Sequence, residues 1–470
     1  MNRVNEAIVK IWGMDVGIIT WNDKRKIASF QYSENFLGSG LEISPLKMPL
    51  SDKVYEFPEL RAEESSSTFL GLPGIFADSL PEKYGNAMMR EWLRRQGIKF
   101  DDLNPVERLC YVGERGMGAL EYQPAFDFPR NSSVDLDELV DIARSIMAGE
   151  NGKKKEVGEN NAIDSIIELS TSAGGAKAKA LVALKIDNGK ITGIYSGQST
   201  PRKDLAYCLL KIADVKNDEH HSDINTGRLE FAYYKMARTC GINMMPCSLV
   251  KDSKSVAHFM TRRFDRSQGN KIHMASFCAL AHADRNPPGM YGYEDLFKTA
   301  HEMKCTQNEL AQLYRRMVFN IIARNQDDHS KNHSFLMNKK GKWILSPAYD
   351  ICFSFNKKSR WIDLQQMRCN GKRDDFTIDD LLAAAKYADI SAPKNIIGEV
   401  MDGISTWEKE AHDAGLPQEE INKIRKCFRT NIGQPPQQPV NGYKENNMHS
   451  EQKTEETHEN NPSGHGEIGS

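Results

Sequence analysis

The sequence predicts an α+β protein of two lobes, a β-rich lobe followed by a helical one. Three observations carry this. Strand-like apolar runs bounded by turn residues dominate the chain up to about residue 265. Beyond residue 275 the apolar spacing becomes helical. At 470 residues the chain has length for two or three domains on the prior of about 150 residues each.

The elements follow in order. Ala7-Ile-Val-Lys-Ile-Trp12, Val16-Gly-Ile-Ile-Thr-Trp21 and Ile27-Ala-Ser-Phe-Gln-Tyr32 read as a small meander split by turns at Gly13-Met-Asp15 and Asn22-Asp23. Ser79-Leu-Pro81 opens a helix that ends before Gly97, with Tyr84, Met88, Trp92 and Leu93 on its apolar face. Residues 135–147 suit a short amphipathic helix, and 150–161 are polar. Strand-like runs then appear at 181–186 and 206–212, with a turn at Asp187-Asn-Gly189. Leu229, Tyr233, Met236 and Ala237 mark a helix over 227–241. The runs Ser248-Leu-Val250 and Val256–Met260 pair as strands. Thr306 and Glu309 have capping-box spacing before a helix with Leu310, Leu313, Met317 and Ile321 on one stripe. Ser334–Met337 and Trp343–Leu345 form a hairpin. The last 37 residues, 434–470, have too few apolar groups to fold alone and are expected to be disordered. The predicted divisions are 1–125, 126–265, 266–433 and this acidic tail.

Charge excludes little. The net charge is −2; the tail holds six Glu and two Lys, which leaves the body near neutral, so no polybasic surface argues for nucleic acid. No apolar window approaches the ~20 residues of a membrane span. The first residues lack a basic segment followed by an apolar run, and a cytoplasmic protein is expected. Nine cysteines without C-x-x-C spacing predict free thiols rather than a disulfide framework or a structural zinc site.

The chemistry concentrates in Asn325-Gln-Asp-Asp-His-Ser-Lys-Asn-His333 and Pro347-Ala-Tyr-Asp-Ile351. The first run follows the 306–321 helix directly, so a buried rod holds it. The hairpin returns Asp350 to the same place. A loop carboxylate at Asp327, an amide at Asn332 and a second carboxylate at Asp350 are the parts phosphoryl transfer requires. One carboxylate orients the attacking hydroxyl; the amide and the other carboxylate hold Mg²⁺ on the phosphates. A solvated polar loop has the same composition. Metal-dependent hydrolysis through Asp327, Asp328, His329 and His333 is a third reading, and it lacks a further ligand at suitable spacing.

Upstream parts favour phosphoryl transfer. Gly174 and Gly175, in Leu169-Ser-Thr-Ser-Ala-Gly-Gly-Ala-Lys-Ala-Lys179, allow a backbone to approach phosphate closely, and Lys177 and Lys179 add charge. A plain turn reads the same way. Lys211 lies in an apolar strand and needs a partner, for which Glu230 on the next helix is the candidate; an edge-strand lysine reaching solvent is the alternative. Thr261-Arg-Arg-Phe-Asp-Arg266 is either an inter-lobe hinge or a solvated turn.

Together these pieces resemble the HipA family of serine/threonine kinase toxins from bacterial toxin–antitoxin modules. The matching stretches are Ser172-Ala-Gly-Gly-Ala-Lys-Ala-Lys179, Leu210-Lys-Ile212, Arg263-Phe-Asp-Arg266, Asp327-x-His-x-Lys-Asn332 and Pro347-Ala-Tyr-Asp-Ile351. Trp12-x-x-x-Val-Gly, Phe30-Gln-Tyr, Leu80-Pro-Glu and Gly113-x-x-Gly-x-Gly118 match that family's first subdomain. The resemblance implies a protein-kinase-like two-lobe fold, with an all-α second lobe, that uses ATP and Mg²⁺. Asp327 would act on the substrate hydroxyl, and Asn332 and Asp350 would hold the metal. Lys211, supported by Glu230, would meet the phosphates. Gly174, Gly175, Ala176, Lys177, Ala178 and Lys179 would cover them. Arg262, Arg263 and Phe264 would line the adenine site, and His329, Lys331 and Tyr349 would help place the nucleotide. Ser172, or its neighbour Ser170, would be autophosphorylated.

The implied substrate class is aminoacyl-tRNA synthetases of the translation machinery. The implied partner is a HipB-like helix-turn-helix antitoxin through which DNA is met indirectly, with no membrane involved. Arg262 stands where some members carry an acid, and Lys177-Ala178 replace more polar residues. Two alternatives remain on the residues themselves. One is a small-molecule phosphotransferase on the same fold. The other is a catalytically silent module that binds antitoxin or DNA.

Overall fold

The computed structural model describes residues 3–61, 68–126, 135–150, 177–198, 201–213 and 225–432, and these lie within one compact unit, Met1–Gly433. Ser170, Ser172, Gly174, Gly175, Ala176, the polar run at 150–161 beyond its first residue and the tail 434–470 fall outside the described residues.

The first sheet is a five-stranded antiparallel layer in the order β4-β3-β2-β1-β5. Its strands are β1 (Glu6–Ile11), β2 (Met14–Asn22), β3 (Ile27–Tyr32), β4 (Tyr55–Glu56) and β5 (Leu120–Gln123). Alternation explains it: Ala7, Val9 and Ile11 are buried while Glu6 and Ile8 face out. The expected helix follows as Lys83–Arg95, with Tyr84, Met88, Trp92 and Leu93 all buried.

The second sheet has the order β7-β6-β8-β10-β9, built from β6 (Lys179–Asp187), β7 (Lys190–Ser196), β8 (Leu205–Lys211), β9 (Cys247–Lys251) and β10 (Ala257–Arg262). The Lys83–Arg95 and Leu136–Glu150 helices share a core with this sheet through Trp92, Leu93, Leu139, Val140, Val182 and Leu210. The Thr226–Thr239 helix packs against β9 and β10. It approaches β10 so closely that a Cβ on Gly227 would stand 2.2 Å from the Ala257 carbonyl oxygen. The central position of β8 removes the edge-strand alternative for Lys211.

The second lobe is helical around a small sheet. The Gln307–Ile322 helix forms as its stripe predicts, and Glu309 accepts the Thr306 N–H at 2.8 Å. The same carboxylate accepts the Leu345 N–H at 2.7 Å, tying the helix to the hairpin. That hairpin, β14 (Ser334–Met337) and β15 (Trp343–Leu345), gains a third strand, β13 (His273–Ser276). A two-residue ladder, β11 (Arg266–Ser267) with β12 (Asn270–Lys271), precedes it. All nine cysteines are free thiols. No helix among the described residues is long and apolar enough to cross a membrane.

Candidate active site

The polar run after the Gln307–Ile322 helix splits into residues that turn inward and residues that face the cleft. Asp328 turns inward. Its carboxylate accepts from the Tyr293 hydroxyl at 2.5 Å and from the Gln366 N–H at 2.9 Å. Asn320 donates to the Tyr293 oxygen and Asn325 to Asn320, so a buried chain of hydrogen bonds anchors the loop. His333 is buried edge-on against Tyr293. Asp328 and His333 are thus committed to the interior, and the four-residue metal cluster that hydrolysis would need is not assembled.

Asp327 and Asp350 face the other way. Their side chains keep 44% and 40% of their surface accessible. The Asn332 amide donates to the Asp327 carbonyl at 2.7 Å, which closes the loop around a 3₁₀ turn at Ser330–Asn332 and leaves the Asn332 side-chain oxygen as an acceptor. Tyr349 buttresses the turn by donating to the Lys331 carbonyl at 2.6 Å. Asp350 has φ of 55°, a left-handed conformation in which a non-glycine residue is strained.

Across the cleft, Lys211 at the end of β8 is held by Glu230 of the Thr226–Thr239 helix and by Asp350, the latter at 2.5 Å. This joins strand, helix and second lobe through one ammonium. Burial disfavours its charge, but Asp350 and Glu230 outweigh that and hold Lys211 above its ordinary range. Burial likewise pushes Asp350 up, and Lys211 and Lys179 overcome it, so its carboxyl lies well below the usual carboxylate range. Asp327 moves in the opposite direction. Desolvation and the charge of Asp350 raise it to about 7.

Lys179 is the first residue of β6, not part of the preceding loop, and it pairs in register with Lys211. Burial and the neighbouring Lys211 charge push it down to about 8. Lys177 is exposed and Ala178 buried. Of the adenine-lining candidates, Arg262 is exposed and Phe264 lies 5.6 Å from the Tyr349 ring. The Arg263 side chain turns inward. It is buried, forks onto Asp265 at 2.8 and 2.7 Å, and donates to the Gly197 carbonyl. The physical reason is Asp265, a buried carboxylate that needs cations around it.

His329 is half-buried beside Asp327, with its Nε2 at 3.9 Å from the carboxylate. Burial and the Arg285 charge push it down to about 4, so it is neutral at pH 7. Its buried Nδ1 has no hydrogen-bond partner. Lys331 reaches Glu82 at 3.0 Å, and Arg285 reaches the same carboxylate at 3.2 Å. Glu82, Arg285 and the anchoring role of Asp328 were not assigned from the sequence. Leu80-Pro-Glu82 is visible there as a motif, but nothing local ties it to residue 331.

A family model described as the HipA-like C-terminal domain matches residues 171–429, and one described as the HipA N-terminal domain matches 7–123. The chain belongs to the HipA family. The fold agrees: the structure aligns with HipA from Shewanella oneidensis MR-1, solved in a complex with HipB and operator DNA. The TM-score is 0.60 at 15% identity, over 89% of this chain and 94% of that one. This is the protein-kinase-like two-lobe HipA fold. A relative from Sinorhizobium fredii (strain NBRC 101917 / NGR234), named "Putative kinase Y4mE", is 23% identical over 370 residues, covering 73% of this chain and 76% of its own.

Proposed function

We propose that this HipA-family chain is an ATP- and Mg²⁺-dependent serine/threonine protein kinase, the toxin of a toxin–antitoxin module. The observation that carries the reading is Lys211 held between Glu230 and Asp350, opposite a loop that presents Asp327 and Asn332.

The available donors fit the metal. Asp350 and Asn332 offer oxygens only, the set a hard divalent cation prefers, and Asp350 retains an accessible oxygen beside the one on Lys211. Bound there, Mg²⁺ would neutralise charge on the phosphates. Lys211 would meet the phosphates from β8, with Lys179 adding charge from β6. Neighbouring lysines repel one another, so an anionic ligand between them is favoured over an empty site. Asp327 would orient the acceptor hydroxyl and accept its proton at a carboxylate oxygen. A group poised near neutrality is suited to that task. Neutral His329 keeps 14% of its side chain accessible and would meet the nucleotide with that edge, while Lys331 acts through Glu82. Phe264, with the 262–264 backbone, would border the adenine. The roles of Gly174, Gly175 and Ala176 as a phosphate loop, and of Ser172 or Ser170 as its autophosphorylation site, remain part of this proposal on the sequence motif.

The acceptor is proposed to be a protein of the translation machinery such as an aminoacyl-tRNA synthetase. The partner is proposed to be a helix-turn-helix antitoxin, consistent with the HipB bound to the aligned Shewanella protein. A small-molecule acceptor would use the same catalytic groups. The test is incubation with Mg²⁺-ATP and mass spectrometry of the products, with Asp327→Asn in parallel. The proposal expects phosphoserine at Ser172 or Ser170, and phosphoserine or phosphothreonine on an added protein acceptor, with none from the variant. Transfer to small metabolites alone would replace the reading.

A further inference from the structure

The amino-terminal region reaches the catalytic loop. The turn before the Lys83–Arg95 helix carries Asp78 and Glu82 to the second lobe. Asp78 accepts from the Ser276 N–H and hydroxyl, both at 2.8 Å, and so fixes the entry to the Phe277–Ala281 helix. Gly74 lies against that helix so tightly that a Cβ would stand 2.5 Å from the Ala279 carbonyl oxygen. Glu82 goes furthest. Its side chain is 11% accessible, and its two oxygens take two cations, Oε1 with Lys331 and Oε2 with Arg285.

Those cations are not remote. Lys331 is the residue before Asn332 and shares its 3₁₀ turn, while the Arg285 charge acts on both Asp327 and His329. The Arg285 charge acts on the Asp327 carboxylate and Lys331 sits in the turn that follows it, so either cation left without an anion would draw neighbouring groups of the loop out of place. A carboxylate arriving from another region of the chain does the neutralising. It also holds the Lys331 ammonium at a fixed point behind the loop.

We infer that Glu82 is a positioning residue of the catalytic loop: the amino-terminal region completes the site by clamping Lys331 and Arg285, so that Asp327 and Asn332 keep their placement. The catalytic lobe alone therefore lacks a component of its own site. The inference rests on the kinase reading for its activity arm only.

The test uses the full chain. Steady-state Mg²⁺-ATP turnover is measured for wild type, Glu82→Gln, Glu82→Asp and Trp12→Phe, together with amide hydrogen exchange over residues 327–332. Trp12 joins the same two regions away from the cleft, its Nε1 donating to the Lys271 carbonyl at 2.8 Å. Misplacement of about 1 Å can cost on the order of 100-fold, so Glu82→Gln should lower kcat about 10- to 100-fold with KM for ATP changed less than about threefold. Glu82→Asp keeps the charge and should recover part of the loss. Trp12→Phe should lower the melting temperature and leave kcat alone. Exchange over 327–332 should rise in Glu82→Gln only. Unchanged kcat and unchanged exchange in Glu82→Gln, or equal losses of kcat in Trp12→Phe, would overturn the inference. If wild type shows no turnover but exchange rises in Glu82→Gln, the positioning stands and the kinase reading falls.

Discussion

Two groups of charge in the molecule do opposite things. One is the knot at the end of β10, where Asp265 sits between Arg263 and Arg266. The other is the cleft, where Lys211 sits between Glu230 and Asp350 and faces Asp327. In the knot every charge is closed in. Asp265 has a side chain with no accessible surface, and it takes both guanidinium groups and the Gly118 N–H at 2.7 Å. Arg266 passes its remaining donors to the Gly116 and Gly118 carbonyls. In the cleft the carboxylates keep roughly two-fifths of their surface, at Asp327 and Asp350. Saturated charge is structural, fastening the inter-lobe turn to the Gly113–Gly118 segment. Unsaturated charge is available for a ligand. The difference lies in what each carboxylate still lacks, not in residue type.

The largest effect should come from breaking the knot. Asp265→Ala leaves two buried guanidinium groups without their anion, which should cost about 3–5 kcal/mol of unfolding free energy. Denaturant titration measures it. A loss below about 1 kcal/mol, the range of exposed pairs, would erase the contrast between the two regions.

A smaller effect of opposite sign is expected in the cleft. Asp327 has its folded value raised to about 7 by desolvation and by Asp350, against about 3.9 in an unfolded chain. A carboxyl raised on folding favours the native state while it is protonated. That contribution is complete below about pH 4 and is lost as pH rises toward about 7. In ligand-free protein, Asp327→Asn should therefore melt higher than wild type at pH 8 and equally at pH 4. Melting curves at the two pH values decide it, and a variant less stable at pH 8 would mean that Asp327 is a structural group like Asp265.

The parts of this contrast that were legible in the sequence are those written locally. Capping spacing and a four-residue stripe announced the Gln307–Ile322 helix, and that helix placed Asp327 at its end. Lysine in an apolar strand required a partner, and Glu230 on the following helix supplied it. The alternation of β1 to β3 was equally plain. What was not legible depends on contacts between distant segments. The inward turn of the Arg263 side chain has no local signal, because Asp265 gives no sign in sequence of being buried. Glu82 lies 249 residues from Lys331, and no periodicity links them. The Gly-Gly turn predicts loop at Lys179, yet pairing with Lys211 draws it into β6. β13 has no signal in sequence because four residues, His273–Ser276, carry too little pattern to stand out.

The central claim is that the open carboxylate at the head of the loop performs proton transfer while the fold stands without it. The direct measurement is Mg²⁺-ATP phosphoryl transfer by Asp327→Asn at a temperature below both melting points. General-base groups contribute typically 10²–10⁴-fold, so transfer should fall by about that factor with the fold intact. Transfer within about threefold of wild type would contradict the account.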